Sequence, residues 1–216
     1  MATNTNLGCG RYFFLANRFQ EEILIDKLLT TKECQGCDLS EMNLKEAQLQ
    51  EGQLKDTNLS GTNFTKANLS GANLENADLT GANFTEANLE NSTLKKAKLG
   101  GTNFTRANLT NANLTEAQLT DFKELSYEDF YLPNVKGANF QEADLSGANL
   151  SFTNSQTVNF ERAKLVQSNF EKANLIAAKF AQANLQNSNF TRAEMTGAKF
   201  PHANLKGADL SSSRTY

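Results

Sequence analysis

From Leu39 onward a large apolar residue returns at every fifth position. The stretch GTNFTKANLSGANLENADLTGANF, Gly61 to Phe84, places it at Phe64, Leu69, Leu74, Leu79 and Phe84. Two residues before each stands a small one, such as Ala67, Ala72, Ala77 and Ala82, with Asn or Asp between. A helix cannot use this pattern. At 3.6 residues per turn a step of five rotates the apolar position by about 140°, so the leucines would circle the axis. A long strand fails too, because five is odd and successive apolar residues would fall on opposite faces. A chain that turns every five residues resolves both failures. The small residue and the apolar centre, two apart, then face one axis from a short wall. The residue between them faces out, and pairs such as Ser70-Gly71 or Thr80-Gly81 round the corner.

Phenylalanine sets the number of sides. It takes the centre at Phe64, Phe84 and Phe104, later at Phe140, Phe160, Phe180 and Phe200, with Phe170 and Phe190 between. Spacings of twenty, and of ten for opposite sides, fit four pentads per turn. Centres run from Leu39 to Leu119 and resume from Val135 to Leu210, with Ser155 alone not apolar. These pentads predict about eight coils, stacked at a strand spacing of about 4.8 Å, and a rod about 40 Å long.

The pattern, read as KANLSGANLENADL from Lys66 and QEADLSGANL from Gln141, resembles the pentapeptide-repeat proteins over about three quarters of the chain. The resemblance implies an all-β solenoid, the right-handed quadrilateral parallel β-helix of that family. LLTTKECQGCDL, from Leu28, is similar to the lead-in of cyanobacterial members, which place a capping helix before the first coil. End-to-end dimers occur in the family, so the resemblance also implies a homodimer through the C-terminal coil. Some members imitate duplex DNA and act on type II topoisomerases.

Two segments leave the beat. Residues 120–134, TDFKELSYEDFYLPN, put Lys123, Glu128 and Pro133 where small inward residues belong. A charge in a dry core is costly without a partner, so a loop is expected there. It carries Phe122, Tyr127, Phe130 and Tyr131 among acids. Either these aromatics fold back on the coil, or they form a protruding interaction loop, as loops on rigid scaffolds often do. Residues 18–32 read as a helix, with Leu24, Ile25, Leu28 and Leu29 on one broad face and Ile23 and Phe19 off it. Repeat arrays need caps, and a cap is its expected role; a partner-binding or membrane-surface helix is the alternative, the membrane reading opposed by the acids among its polar residues. The expected organisation is an N-terminal segment and cap at 1–33, coils at 34–119, the insertion at 120–134, coils at 135–210 and a tail at 211–216.

Little here suggests chemistry. Cys34-Gln-Gly-Cys37 lacks the second Cys or His pair of a zinc site and the βαβ setting of a redox motif. The register puts Cys34 at a centre and Cys37 at a small position, as buried thiols or as a local disulfide. His202, the single histidine, falls at a corner, and no acid–base–nucleophile set assembles around it. No catalytic residue, cofactor or metal is expected, and the chain does not read as an enzyme. No apolar run approaches the length of a membrane span, and the first residues lack the pattern of a signal peptide, so a cytoplasmic protein is expected. Asp38 to Glu90 carries a net charge of −6 and Lys136 to Asp209 a net +2. Duplex DNA presents a charge per about 1.7 Å, so this balance suits neither a DNA mimic nor a direct nucleic-acid binder. The expected function is a rigid, non-enzymatic scaffold for an unidentified protein partner, the alternative a DNA-mimic regulator of gyrase.

Overall fold

The computed structural model describes residues 21–120 and 137–215. Parallel bridges join residues twenty apart along the coil, from Glu33–Gln53 through Asn63–Asn83 to Glu194–Arg214, except where the chain between 120 and 137 widens the step to thirty-six, as at Asn103–Asn139. One bridging residue per pentad gives four walls, each a ladder of single bridges. Wall A holds the inward centres Cys34, Leu54, Leu74, Leu94, Leu114, Leu150, Phe170, Phe190 and Leu210. Wall B runs from Leu39 to Met195, wall C from Leu44 to Phe200 and wall D from Leu49 to Leu205. Eight inward residues stack on wall C, so the described residues make about eight coils.

Nearly every corner is a turn closed from the small residue back to the preceding centre, as in Ala67 N–H to Phe64 C=O at 2.9 Å. Its third residue has positive φ, 59° at Lys66 and 70° at Gly81, as a type II turn requires. The outward asparagine explains why the beat prefers this residue. Asn63 Oδ1 accepts the Thr65 N–H at 3.1 Å, which shapes the corner, while Asn63 Nδ2 donates to Asn43 Oδ1 at 3.2 Å, one coil away. One side chain thus sets the turn and ties two coils.

Inside, centres and small residues are almost all fully buried. On wall C, Phe64, Phe84, Phe104, Phe140, Phe160, Phe180 and Phe200 stack with ring centroids 4.7–5.1 Å apart. Phe170 and Phe190 form a second stack on the opposite wall and meet the first edge-on, as Phe160 and Phe170 do at 84°. Coil spacing enforces the parallel stacking, and the edge-on contact suits the ring quadrupoles across the core. Hydroxyls at small positions bond to backbone: Thr62 Oγ1 donates to Leu39 C=O at 2.7 Å and Thr102 Oγ1 to Leu79 C=O at 2.8 Å. Ser155, the polar centre, meets Thr153 Oγ1 at 2.7 Å.

Helix α1, residues 21–31, covers the first coil. Leu28 is fully buried, and Leu24 and Ile25 pack on the core. Leu29 was expected on the same face but is exposed, as is Ile23. The buried stripe is therefore narrower, centred on the i, i+4 pair Leu24–Leu28. The helix stops at Lys32, whose N–H reaches Leu28 C=O at 2.7 Å and whose φ is 57°. Residues 18–20 and Phe19 lie outside the described residues.

Candidate interaction surfaces

Phe122, Tyr127, Phe130 and Tyr131 lie outside the described residues, as does the expected centre Val135. The structure does show how the coil meets the insertion that carries them. Phe104 N–H bonds to Asn139 C=O at 2.6 Å, and Asn103 bridges Asn139. Leu119 on wall B is thus followed around the coil by Phe140 on wall C. Ala138 N–H closes onto Leu119 C=O at 2.7 Å, as Ala82 N–H closes onto Leu79 C=O at 2.9 Å. Thr120 and Gly137 bridge antiparallel as a neck. The excursion leaves and re-enters at one corner, and the four walls pass it in register. A Cβ on Gly137 would lie 3.0 Å from the Thr157 and Val158 backbone, tighter than an ordinary contact, so glycine suits this neck position.

Cys34 and Cys37 are bonded to each other, Cys34 buried and Cys37 half-buried at the first corner beneath α1. His202 is exposed at a corner with a φ of 59°. No group of three or more His, Cys, Asp or Glu side chains able to hold a metal exists among the described residues. A shallow groove of about 440 Å³ runs between α1 and the first coil, lined by Ile23, Leu24, Lys27, Asp38 and Met42. No helix among the described residues is long and apolar enough to cross a membrane.

Carboxylates on the walls act on corners and ladders. Hydrogen bonds from the Ser40 hydroxyl and amide hold the Asp38 carboxyl below its ordinary range, and Ser211 does the same for Asp209. Burial pushes Asp78 up, but bonds from Thr80 and Lys98 outweigh it and the carboxyl ends low. At the last coil Phe200 and Leu205 are half-buried and Leu210 is exposed. The Phe200, Leu205 and Leu210 amides find no carbonyl among the described residues.

No curated protein is detectably similar to the chain. Among solved structures, HetL from the cyanobacterium Nostoc sp. strain PCC 7120, a pentapeptide repeat protein involved in heterocyst differentiation regulation, is 27% identical. The match covers 85% of this chain and 86% of HetL, with a TM-score of 0.38. Trypsin-treated QnrB1, a plasmid-mediated fluoroquinolone resistance protein, is 16% identical over 84% of this chain and 87% of its own, with a TM-score of 0.56. That likeness supports the fold, a right-handed quadrilateral β-helix. The family described as pentapeptide repeat region matches residues 29–104 and 71–150, and pentapeptide repeats (8 copies) match 156–191 and 173–211. With more than half of its length matched and its Ala-Asn-Leu beat wound into four walls, the chain belongs to the pentapeptide repeat family.

Proposed function

We propose that the protein is a rigid, non-enzymatic scaffold that binds another protein through the insertion, with Phe122, Tyr127, Phe130 and Tyr131 as the recognising side chains. The observation that supports this reading is the neck. Thr120 and Gly137 hold the insertion at a single corner, so the segment between them is free to vary without cost to the coil. Filled coils with a continuous apolar core leave no cleft for chemistry between the walls. The Cys34–Cys37 bond belongs to the same reading, as a staple across the first corner of the coil on which the cap rests.

The test is a variant lacking residues 121–136, compared with the parent in pulldowns from the native host followed by mass spectrometry. Loss of specific partners with an unchanged melting temperature is the expected result. Retention of every partner would sink the loop reading. An imitation of DNA that acts on gyrase is the competing role. The mixed charge of the walls weighs against it, and a supercoiling assay should show neither inhibition nor protection.

A second copy is a further candidate partner, because Leu210 and the last-coil amides that find no carbonyl among the described residues offer an apolar, strand-like edge. Light scattering of the parent and of Leu210→Lys checks this. A dimer that the substitution converts to monomer is expected, and a parent that is monomeric at all concentrations excludes it.

A further inference from the structure

Corner positions in the described residues are polar or glycine with six exceptions: Phe152, Val166, Ile176, Ala177, Ala181 and Pro201. Four of the six flank one place. Ile176 and Ala177 border wall C on one side and Ala181 and Pro201 on the other, all in its last two coils. Between them stand Lys179 and Lys199, bridge partners on adjacent coils and both exposed.

This lysine pair breaks the rule the other walls follow. Five bases occupy outward ladder positions. Lys98 meets Asp78 at 3.3 Å, Lys164 meets Asp144 at 3.0 Å and Arg214 meets Glu194 at 3.7 Å, each one coil away. Lys179 and Lys199 instead face each other, and neither has a carboxylate within 4.0 Å among the described residues. Like charges in direct cross-strand register oppose each other. An anionic partner would turn that repulsion into a binding contribution, and the flanking apolar strips would bury its apolar side chains.

We infer that wall C around Lys179 and Lys199 docks a short, extended acidic segment of a partner protein that carries at least one aliphatic or aromatic residue. Two to three coils span about 10–15 Å, the length of about four extended residues. A long polyanion such as duplex DNA is disfavoured, because it would run on to the acidic early coils, where Asp38 to Glu90 carries −6. A short segment feels only the local patch, since charges are screened beyond about 8 Å at physiological salt. The inference rests on the scaffold reading but uses residues outside the insertion.

The experiment is selection of random phage-displayed peptides on the full chain, with Lys179→Glu/Lys199→Glu and Ile176→Ser as comparison baits and thermal melts to confirm folding. Enriched peptides should be acidic with an apolar residue. Synthetic copies should bind the charge-reversed bait at least about tenfold more weakly, and lose affinity between about 50 mM and about 300 mM salt. Enriched peptides that bind the charge-reversed bait equally well would overturn the inference, as would no enrichment. Duplex DNA binding as tightly as the best peptide would also overturn it, in favour of a general polyanion site. The variant lacking residues 121–136 separates the two proposals, because it should lose insertion partners and keep these peptides.

Discussion

Arg106 Nε donates to Glu142 Oε2 at 2.9 Å although the two are 36 residues apart, with the whole insertion between them. They are neighbours in one corner column. Glu46, Lys66, Glu86, Arg106, Glu142 and Arg162 occupy the same positive-φ position on successive coils, and their signs alternate without exception. Lys66 meets Glu86 at 3.6 Å, and Glu142 also meets Arg162 at 3.4 Å. A slip of one coil would set like on like along the column.

The alternation gives a prediction that separates a column from a set of pairs. Glu142→Arg should lower the melting temperature, most at low salt, because three cations would then stand in sequence. The swap Arg106→Glu/Glu142→Arg restores the pair with its signs reversed. It also sets the introduced acid against Glu86 and the introduced base against Arg162. If pairs were independent the swap would recover the parent's stability. The column predicts that it does not, and melts of the three proteins in about 20 mM and about 300 mM salt decide.

Removing residues 121–136 should leave the coil intact. Joined, Leu119-Thr120-Gly137-Ala138-Asn139-Phe140 repeats Leu79-Thr80-Gly81-Ala82-Asn83-Phe84 letter for letter. Gly137 can take up the positive φ that Gly81 has, 70°, at no steric cost. The variant should melt within a few degrees of the parent, because closing a longer surface loop costs little. A variant that unfolds or aggregates would show that the insertion is part of the core.

The same junction shows what the sequence disclosed and what it hid. Period five implied a chain that turns every five residues, and the phenylalanine spacing of twenty implied both the four walls and the wall C stack. The resumption read at Val135 comes from counting in fives back along the later centres, one step beyond Phe140. Splicing the chain back onto an earlier coil would have located the seam at Thr120 and Gly137, because a solenoid's register is set by the coil above rather than by its chain neighbour. The lysine pair was not legible at all in one dimension. Lys179 and Lys199 become neighbours only once the twenty-residue turn is fixed, and their lack of partners shows only against Lys98 and Lys164.

Phe104 sits mid-column, fully buried, with Phe84 and Phe140 rings at 5.0 Å and 4.7 Å. Phe104→Ala should cost about 3–5 kcal/mol, since the flanking rings are held by their own coils and cannot collapse into the gap. Phe104→Leu matches the centre used on most coils and should cost far less. Chemical denaturation of both variants checks the ratio. Equal losses would mean that ring stacking, rather than filled volume, dominates the column.

Acid should weaken the coil in a defined window. Asp38, Asp78 and Asp209 occupy the outward slot that Asn usually fills, and each accepts the amide two residues on, at 3.1, 3.1 and 2.9 Å. Their carboxyls are held below the ordinary 3.8. A depressed folded-state pKa contributes stability that is complete above the unfolded value and is lost as pH falls through the folded one. The melting temperature should therefore be level down to about pH 5 and fall below about pH 4. Asparagine makes the same corner bond without titrating, as Asn58 does to the Ser60 amide at 3.2 Å. Asp38→Asn/Asp78→Asn/Asp209→Asn should thus keep the fold and shrink the acid limb of the profile, leaving the part due to Asp144, whose carboxyl accepts the Ser146 amide at 3.0 Å and is also held low. An unchanged acid limb would place the sensitivity elsewhere, with Glu142 and its two arginines the next column to vary.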